Sequence, residues 1–176
     1  EHVELEEIAA RHKAEIRRLK AERSAWIKRL DAQLRQHRDL ARKADLVESI
    51  DGVGLITALT MVIRMPELGT IDREEAASLL GAAPFVRQSG KYEGERHVEG
   101  GRARPRTALF ACAQAAIKWN KPLSGFYKRL MMHGKHHRVA AMACTRKLVV
   151  IINAVLARGT NWTSEPPPKN LLAAKP

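Results

Sequence analysis

The stretch "LVESIDGVGLITALTMVI", Leu46–Ile63, decides the fold class. Leu46, Val47 and Ile50 precede Gly52-Val53-Gly54, and Ile56, Ala58, Leu59 and Val62 follow at helical spacing. The pattern predicts two short helices joined by a glycine turn. Glycine there allows φ > 0 and lets another backbone come close. The helix that follows starts with unsatisfied N–H groups, which suit an anion such as a phosphate. A plain structural turn is the alternative for the same residues.

Working outward toward the N-terminus, Val3 to about Lys43 contains no Gly and no Pro. Ile16, Leu19, Trp26, Leu30 and Leu40 keep to one helix face, so a single long helix is expected. Arg23, Gln33 and His37 interrupt that seam. An antiparallel or mixed helical pairing therefore fits better than a regular parallel zipper, and packing on its own domain is the other use of such a helix.

Toward the C-terminus, Asp72 and Glu75 fit a capping box for a helix reaching about Leu80, with Gly81 as its stop. Pro84 opens a glycine-rich segment with room for a short hairpin around "FVRQSGKYEGERHVEGG". Three helices follow: one with Pro105 in its first turn, one opened by Pro122 and stopped by Gly134, and one from about His136 to Ala157 ended by Gly159. The expected architecture is mainly α. It comprises a long, coiled-coil-like helix at 1–45 as an assembly arm, a compact helical domain at 46–160 and a flexible tail at 161–176.

Charge points to a partner. Glu1 to Glu99 holds 17 Lys or Arg against 18 Asp or Glu, whereas Gly100 to Ser164 holds 12 Lys or Arg and no acid. A one-signed stretch of that length attracts a polyphosphate surface, so nucleic acid is the leading partner. Cys112 and Cys144 have neither zinc-ligand spacing nor the density of a disulfide scaffold and read as reduced core residues. The longest apolar run is about "LVVII", and the start has no signal-peptide core. No membrane and a cytoplasmic location are expected. The start at Glu1, not Met, is expected of a piece of a longer protein.

Ser89, flanked by Gln88 and Gly90, is the candidate nucleophile, because a glycine-flanked loop can present a side chain to substrate. Arg87, Lys91, Arg102, Arg104 and Arg106 are near enough in sequence to hold the charge of a phosphate in transfer. A serine in a polar turn and a solvated basic edge are the ordinary alternatives. Lys135 and Arg138 extend the candidate nucleic-acid surface beyond Gly52, Val53 and Gly54. His133, His136 and His137 sit among cations with no carboxylate nearby, so no metal is assigned to them. Trp119, Phe126 and Tyr127 are able to stack on bases, but their helical spacing favours core packing.

The blocks "LVESIDGVGLITA", "LLGAAPFVRQSGKYEGERHVEGGRARPRTALFACA" and "FYKRLMMHGKHHRVAAMACTRKLVVIINAVLARG" together resemble the C-terminal part of the insertion-sequence transposases of the one-ten family. Pilin-gene invertases are relatives, and some members use a guide (bridge) RNA. The glycine turn itself resembles the helix-hairpin-helix motif, a sequence-nonspecific binder of DNA backbone. The resemblance implies that Ser89, in its Gln-Ser-Gly context, acts on DNA phosphodiesters together with acidic, metal-binding residues of a nuclease-like domain toward the N-terminus. Those residues are not among the 176, so Mg²⁺ is expected with that other domain and the chain is expected to be inactive by itself. A homo-oligomer is implied as well. One departure stands out: Asp51 occupies the place where the family commonly has Pro. A non-catalytic nucleic-acid-binding and oligomerisation module is the alternative function.

Overall fold

Helical periodicity is realised along most of the chain. The computed structural model describes residues 2–83, 88–89, 92–93 and 100–165, with the backbone alone at 2–4, 88–89 and 92–93. The elements are α1 (His2–Arg35), α2 (Arg38–Glu48), α3 (Leu55–Arg64), α4 (Arg73–Leu80), β1 (Gln88–Ser89), β2 (Tyr92–Glu93), α5 (Ala103–Trp119), α6 (Lys121–Met132) and α7 (His137–Arg158). They fall into two compact units, Glu1–Ala41 and Arg42–Pro176.

In the first unit the expected single helix to Lys43 is divided. The N–H groups of Gln36 and His37 donate to the carbonyls of Gln33 and Leu34, at 3.2 and 3.0 Å. These three-residue bonds replace the α-helical ladder and end α1 at Arg35. Neither residue is a helix breaker, so propensity gives no warning of the turn. α1 spans about 50 Å at helical rise. Leu5, Ile8, Ile16, Leu19, Trp26 and Leu30 are exposed along it. Arg18 bonds Glu15 at 2.7 Å and Arg35 bonds Asp31 at 3.0 Å, spacings that support a solvated helix surface.

The second unit is organised around α7, which packs against α4, α5 and α6, while α5 also packs against α3. Ala140, Ala141 and Cys144 of α7 and Cys112, Ala113 and Ala116 of α5 are all buried. Small side chains at these positions let the helix axes approach closely, and Leu148, Val149, Ile152 and Leu109 fill the space around them. Asn153 adds a polar tie: its Oδ1 accepts from the Gly69 N–H and its Nδ2 donates to the Ile71 carbonyl, both at 2.7 Å. A buried amide that satisfies two backbone groups fixes the α3–α4 connection onto α7.

Local signals mark the helix ends. Asp72 and Glu75 form both arms of a capping box, and Gly81 ends α4 with φ 74°. Pro122 lies in the first turn of α6, which Asn120 caps by accepting from the Leu123 N–H. Gly134 and Gly159 take φ 70° and 66° after α6 and α7. The expected hairpin is present in the backbone as antiparallel β1 and β2, pairing Gln88 with Glu93 and Ser89 with Tyr92. Among the described residues α7 alone is long and apolar enough to cross a bilayer by length and composition, and more than half of it is buried within the unit. A search for uninterrupted apolar runs passes over it because Arg146 and Lys147 divide the sequence.

Candidate functional site

The two ends of the segment that carries Ser89 meet in a narrow neck at Gly81 and Gly100–Gly101. Gly81 and Gly101 both have left-handed backbones, with φ 74° and 68°. A Cβ on Gly81 would lie 2.3 Å from the Gly100 carbonyl oxygen, and one on Gly101 would lie 2.2 Å from the Gly81 nitrogen. Two backbones this close leave no room for a side chain on either residue. The Arg102 N–H donates to the Leu79 carbonyl at 2.9 Å, closing the neck with a backbone bond. Arg106 spans it from outside, its guanidinium donating to the carbonyls of Gly100 and Gly81.

Arg102 is held at the same place. Its guanidinium donates to both carboxylate oxygens of Glu67, at 2.8 and 2.5 Å, and to the Arg64 carbonyl at 2.7 Å. The fork geometry fits a planar guanidinium on a carboxylate. Hydrogen bonds from Arg102, then one from the backbone of Glu67 itself, then the positive charge of Arg102 hold the Glu67 carboxyl down at about 2. The same carboxylate raises the Arg102 guanidinium above its already high value. Glu67 lies outside the acid-free stretch and 35 residues from its partner. Sequence reasoning missed it, because no local spacing links the two.

The remaining predicted residues occupy different places. Arg104 is exposed on the first turn of α5, and Lys135 and Arg138 are exposed around the start of α7. Ser89 lies in β1, with its backbone paired to Tyr92. Arg87 and Lys91 lie outside the described residues. The three histidines each have local partners: His133 Nδ1 with the Arg129 carbonyl, His136 Nδ1 accepting from the Arg138 N–H, and His137 Nδ1 with the Tyr127 hydroxyl at 2.7 Å. Among the described residues no group of three His, Cys, Asp or Glu is placed to hold a metal.

The glycine turn after α2 divides its labour. Gly52 has φ 86°, and a Cβ there would lie 2.5 Å from the Cα of Ala116. Cys112 Sγ also meets the Gly52 carbonyl at 3.3 Å. Gly52 thus serves close packing of the turn on α5. Val53 is buried. Gly54 faces open space, with nothing within 4 Å of a Cβ built there, and caps α3 with no side-chain hydrogen bond. The open helix start leaves backbone N–H groups toward solvent.

Burial pushes the Cys144 thiol up to about 11 and the Cys112 thiol up from its usual value, so neither supplies a thiolate at neutral pH. Both are free and buried, as expected of small core residues. The aromatic residues depart from the core-packing expectation. Trp119 is 72% exposed. Phe126 is partly buried and lines a cavity of about 480 Å³ together with Ala143 and Arg146. Lys147 Nζ lies 4.6 Å from the Phe126 ring centre. The helical period identified α5 and α6 correctly, but Trp119 stands at the last residue of its helix, where the period no longer assigns a buried face.

Residues 44–128 match the family described as "Transposase IS116/IS110/IS902 family". A curated protein of Streptomyces coelicolor, "Insertion element IS110 uncharacterized 43.6 kDa protein", is 29% identical over 148 residues, covering 82% of this chain and 36% of that protein. The chain therefore spans little more than a third of the length of that relative.

Proposed function

We propose, from the match of residues 44–128 to the transposase IS116/IS110/IS902 family, that this chain is the DNA-binding and serine-bearing part of an insertion-sequence transposase. The Ser89 hydroxyl oxygen attacks the phosphorus of a DNA phosphodiester. The phosphorus–oxygen bond to one strand end breaks, the serine becomes esterified, and the hydroxyl proton ends on the departing oxygen. Attack on that ester by the hydroxyl of another strand end restores a phosphodiester and frees Ser89. One bond forms as one breaks, so rejoining needs no further energy source.

The observation that supports this reading most is the neck. Gly81, Gly101 and Arg106 pin the two ends of the serine-bearing segment to a rigid helical unit, the arrangement expected of a loop that presents a reacting group. Arg104, exposed on the first turn of α5 and three residues from Gly101 in sequence, is the first candidate for holding phosphate, with Arg87 and Lys91 as further candidates. Mg²⁺ would supply charge stabilisation when bound, but the described residues offer it no ligand cluster, so no step is assigned to it here. The apolar stripe on α1 supports self-association as an assembly arm, and guide RNA joins DNA as a proposed partner.

The test uses the parent transposase with a nicked suicide DNA substrate. Wild type is expected to form a covalent adduct that peptide mass spectrometry maps to Ser89, and Ser89→Ala is expected to form none. Full strand exchange by Ser89→Ala would overturn the catalytic assignment. A specific observation favours the second reading, a non-catalytic nucleic-acid-binding and oligomerisation module: Glu67 neutralises Arg102, and carbonyls occupy Arg106, so two of the expected phosphate-holding residues are already engaged. That alternative predicts salt-sensitive binding with no adduct.

A further inference from the structure

We propose that Trp119, flanked by Lys118 and Lys121, is a stacking site for an unpaired nucleobase of a nucleic-acid strand. This deepens the proposed nucleic-acid function and rests on it. Trp119 is 72% exposed, although Leu109, Ala113 and Ala116 of the same helix are fully buried. The corner that presents it is well fixed. The Asn120 N–H donates to the Ala116 carbonyl at 2.7 Å, the Ser124 N–H donates to the Asn120 carbonyl at 2.8 Å, and Asn120 itself is fully buried. The indole thus projects from a rigid junction between α5 and α6.

Its surroundings favour a nucleotide over an apolar protein partner. Lys118 and Lys121 are both exposed, and Gln114 and Ala115 are the nearest exposed residues on the preceding turn. Exposed Met131 and Met132 lie at the far end of α6. That is about 18 Å away along the helix, so Trp119 does not belong to a continuous apolar patch with them. Neither α5 nor α6 carries an Asp or Glu of its own. A lone aromatic face between two cations matches the chemistry of an unpaired nucleotide: the base stacks on the ring and the ammonium groups meet phosphates on either side. Paired bases keep their faces covered by neighbours, so a duplex offers this site only its backbone.

The chemistry is shared by single-stranded DNA and RNA, and the test separates them. In the 176-residue chain carrying Trp26→Phe and Trp162→Phe, Trp119 is the one remaining tryptophan. Its fluorescence is titrated with a short oligothymidine, a short oligouridine and a blunt DNA duplex. Quenching by a single strand supports the proposal, and the strand that quenches identifies the source. In the otherwise native chain Trp119→Ala is expected to weaken single-strand binding roughly 5- to 150-fold, with Trp119→Phe retaining most of it and duplex affinity unchanged. An unchanged melting curve for Trp119→Ala keeps folding out of the comparison. Equal single-strand affinity for Trp119→Ala and the parent overturns the site while duplex binding still supports the broader function. Binding to none of the three ligands overturns both, and quenching that tracks protein concentration without nucleic acid overturns the site in favour of a second copy of the chain.

Discussion

The turn at Gly52–Gly54 and the neck at Gly81–Gly101 are both glycine-punctuated, yet they present different surfaces. At the neck the glycines and two of the arginines are engaged within the chain: Gly81 meets Gly100 and Gly101, Arg106 meets carbonyls, and Arg102 meets Glu67. At the turn one glycine, Gly52, is consumed by packing on Ala116, while Gly54 opens toward solvent at an uncapped helix start. Glycine in a basic protein therefore does not by itself indicate contact with a ligand. Its close neighbour is sometimes another part of the same chain. Formal charge follows the same rule, since an arginine held by a carboxylate attracts a phosphate less than one left in water.

The largest expected effect breaks the glycines that are packed. Gly101→Ala and Gly52→Ala each place a Cβ within 2.5 Å of backbone atoms, at positive φ. Each is expected to cost about 3 kcal/mol or more, read as a loss of urea midpoint at constant slope. Wild-type stability in both variants would remove the packing account of these turns.

Next comes the clasp of the neck. Arg106→Ala leaves the carbonyls of Gly100 and Gly81 without their side-chain donor. A loss of about 1 to 2 kcal/mol is expected, with faster amide exchange at the neck than at the Gly52–Gly54 turn. Equal exchange at the two places would count against Arg106 as a clasp.

The ion pair should matter less, because both side chains keep about a third of their surface in water, at 37% and 35%. Glu67→Gln is expected to cost no more than about 1 kcal/mol at neutral pH. The Glu67 carboxyl is held at about 2 against its usual 4.5, so the pair's contribution is complete above pH 4.5 and disappears as the pH falls toward 2. Denaturation curves of the two proteins should converge over that window; a constant gap would assign the loss to something other than the charge.

Smallest of all is Gly54→Ala, where a Cβ enters open space at an ordinary φ of −104°. Stability is expected to change by less than about 0.5 kcal/mol. A cost matching that of Gly52→Ala would abolish the contrast between the two glycines of the turn.

Legibility followed the range of the interaction. The capping box at Asp72 and Glu75, the stops at Gly81, Gly134 and Gly159, and Pro122 at the start of α6 are each made by residues within a turn of one another. The hairpin strands around Ser89 are local in the same sense. The break at Gln36–His37 was not legible, since it contains neither Gly nor Pro, and the exposure of Trp119 ran against the expected core packing.

By itself the sequence determined the helical class, most helix boundaries and the acid-free basic half, because periodicity, caps and charge are written in neighbouring residues. Only the tertiary structure decided that Glu67 holds Arg102, that Ala116 is the reason for Gly52, that Arg106 clasps the neck and that Trp119 faces water. Each of these depends on which distant surfaces meet when the helices pack, and helix packing brings together residues whose separation along the chain carries no signal of the contact.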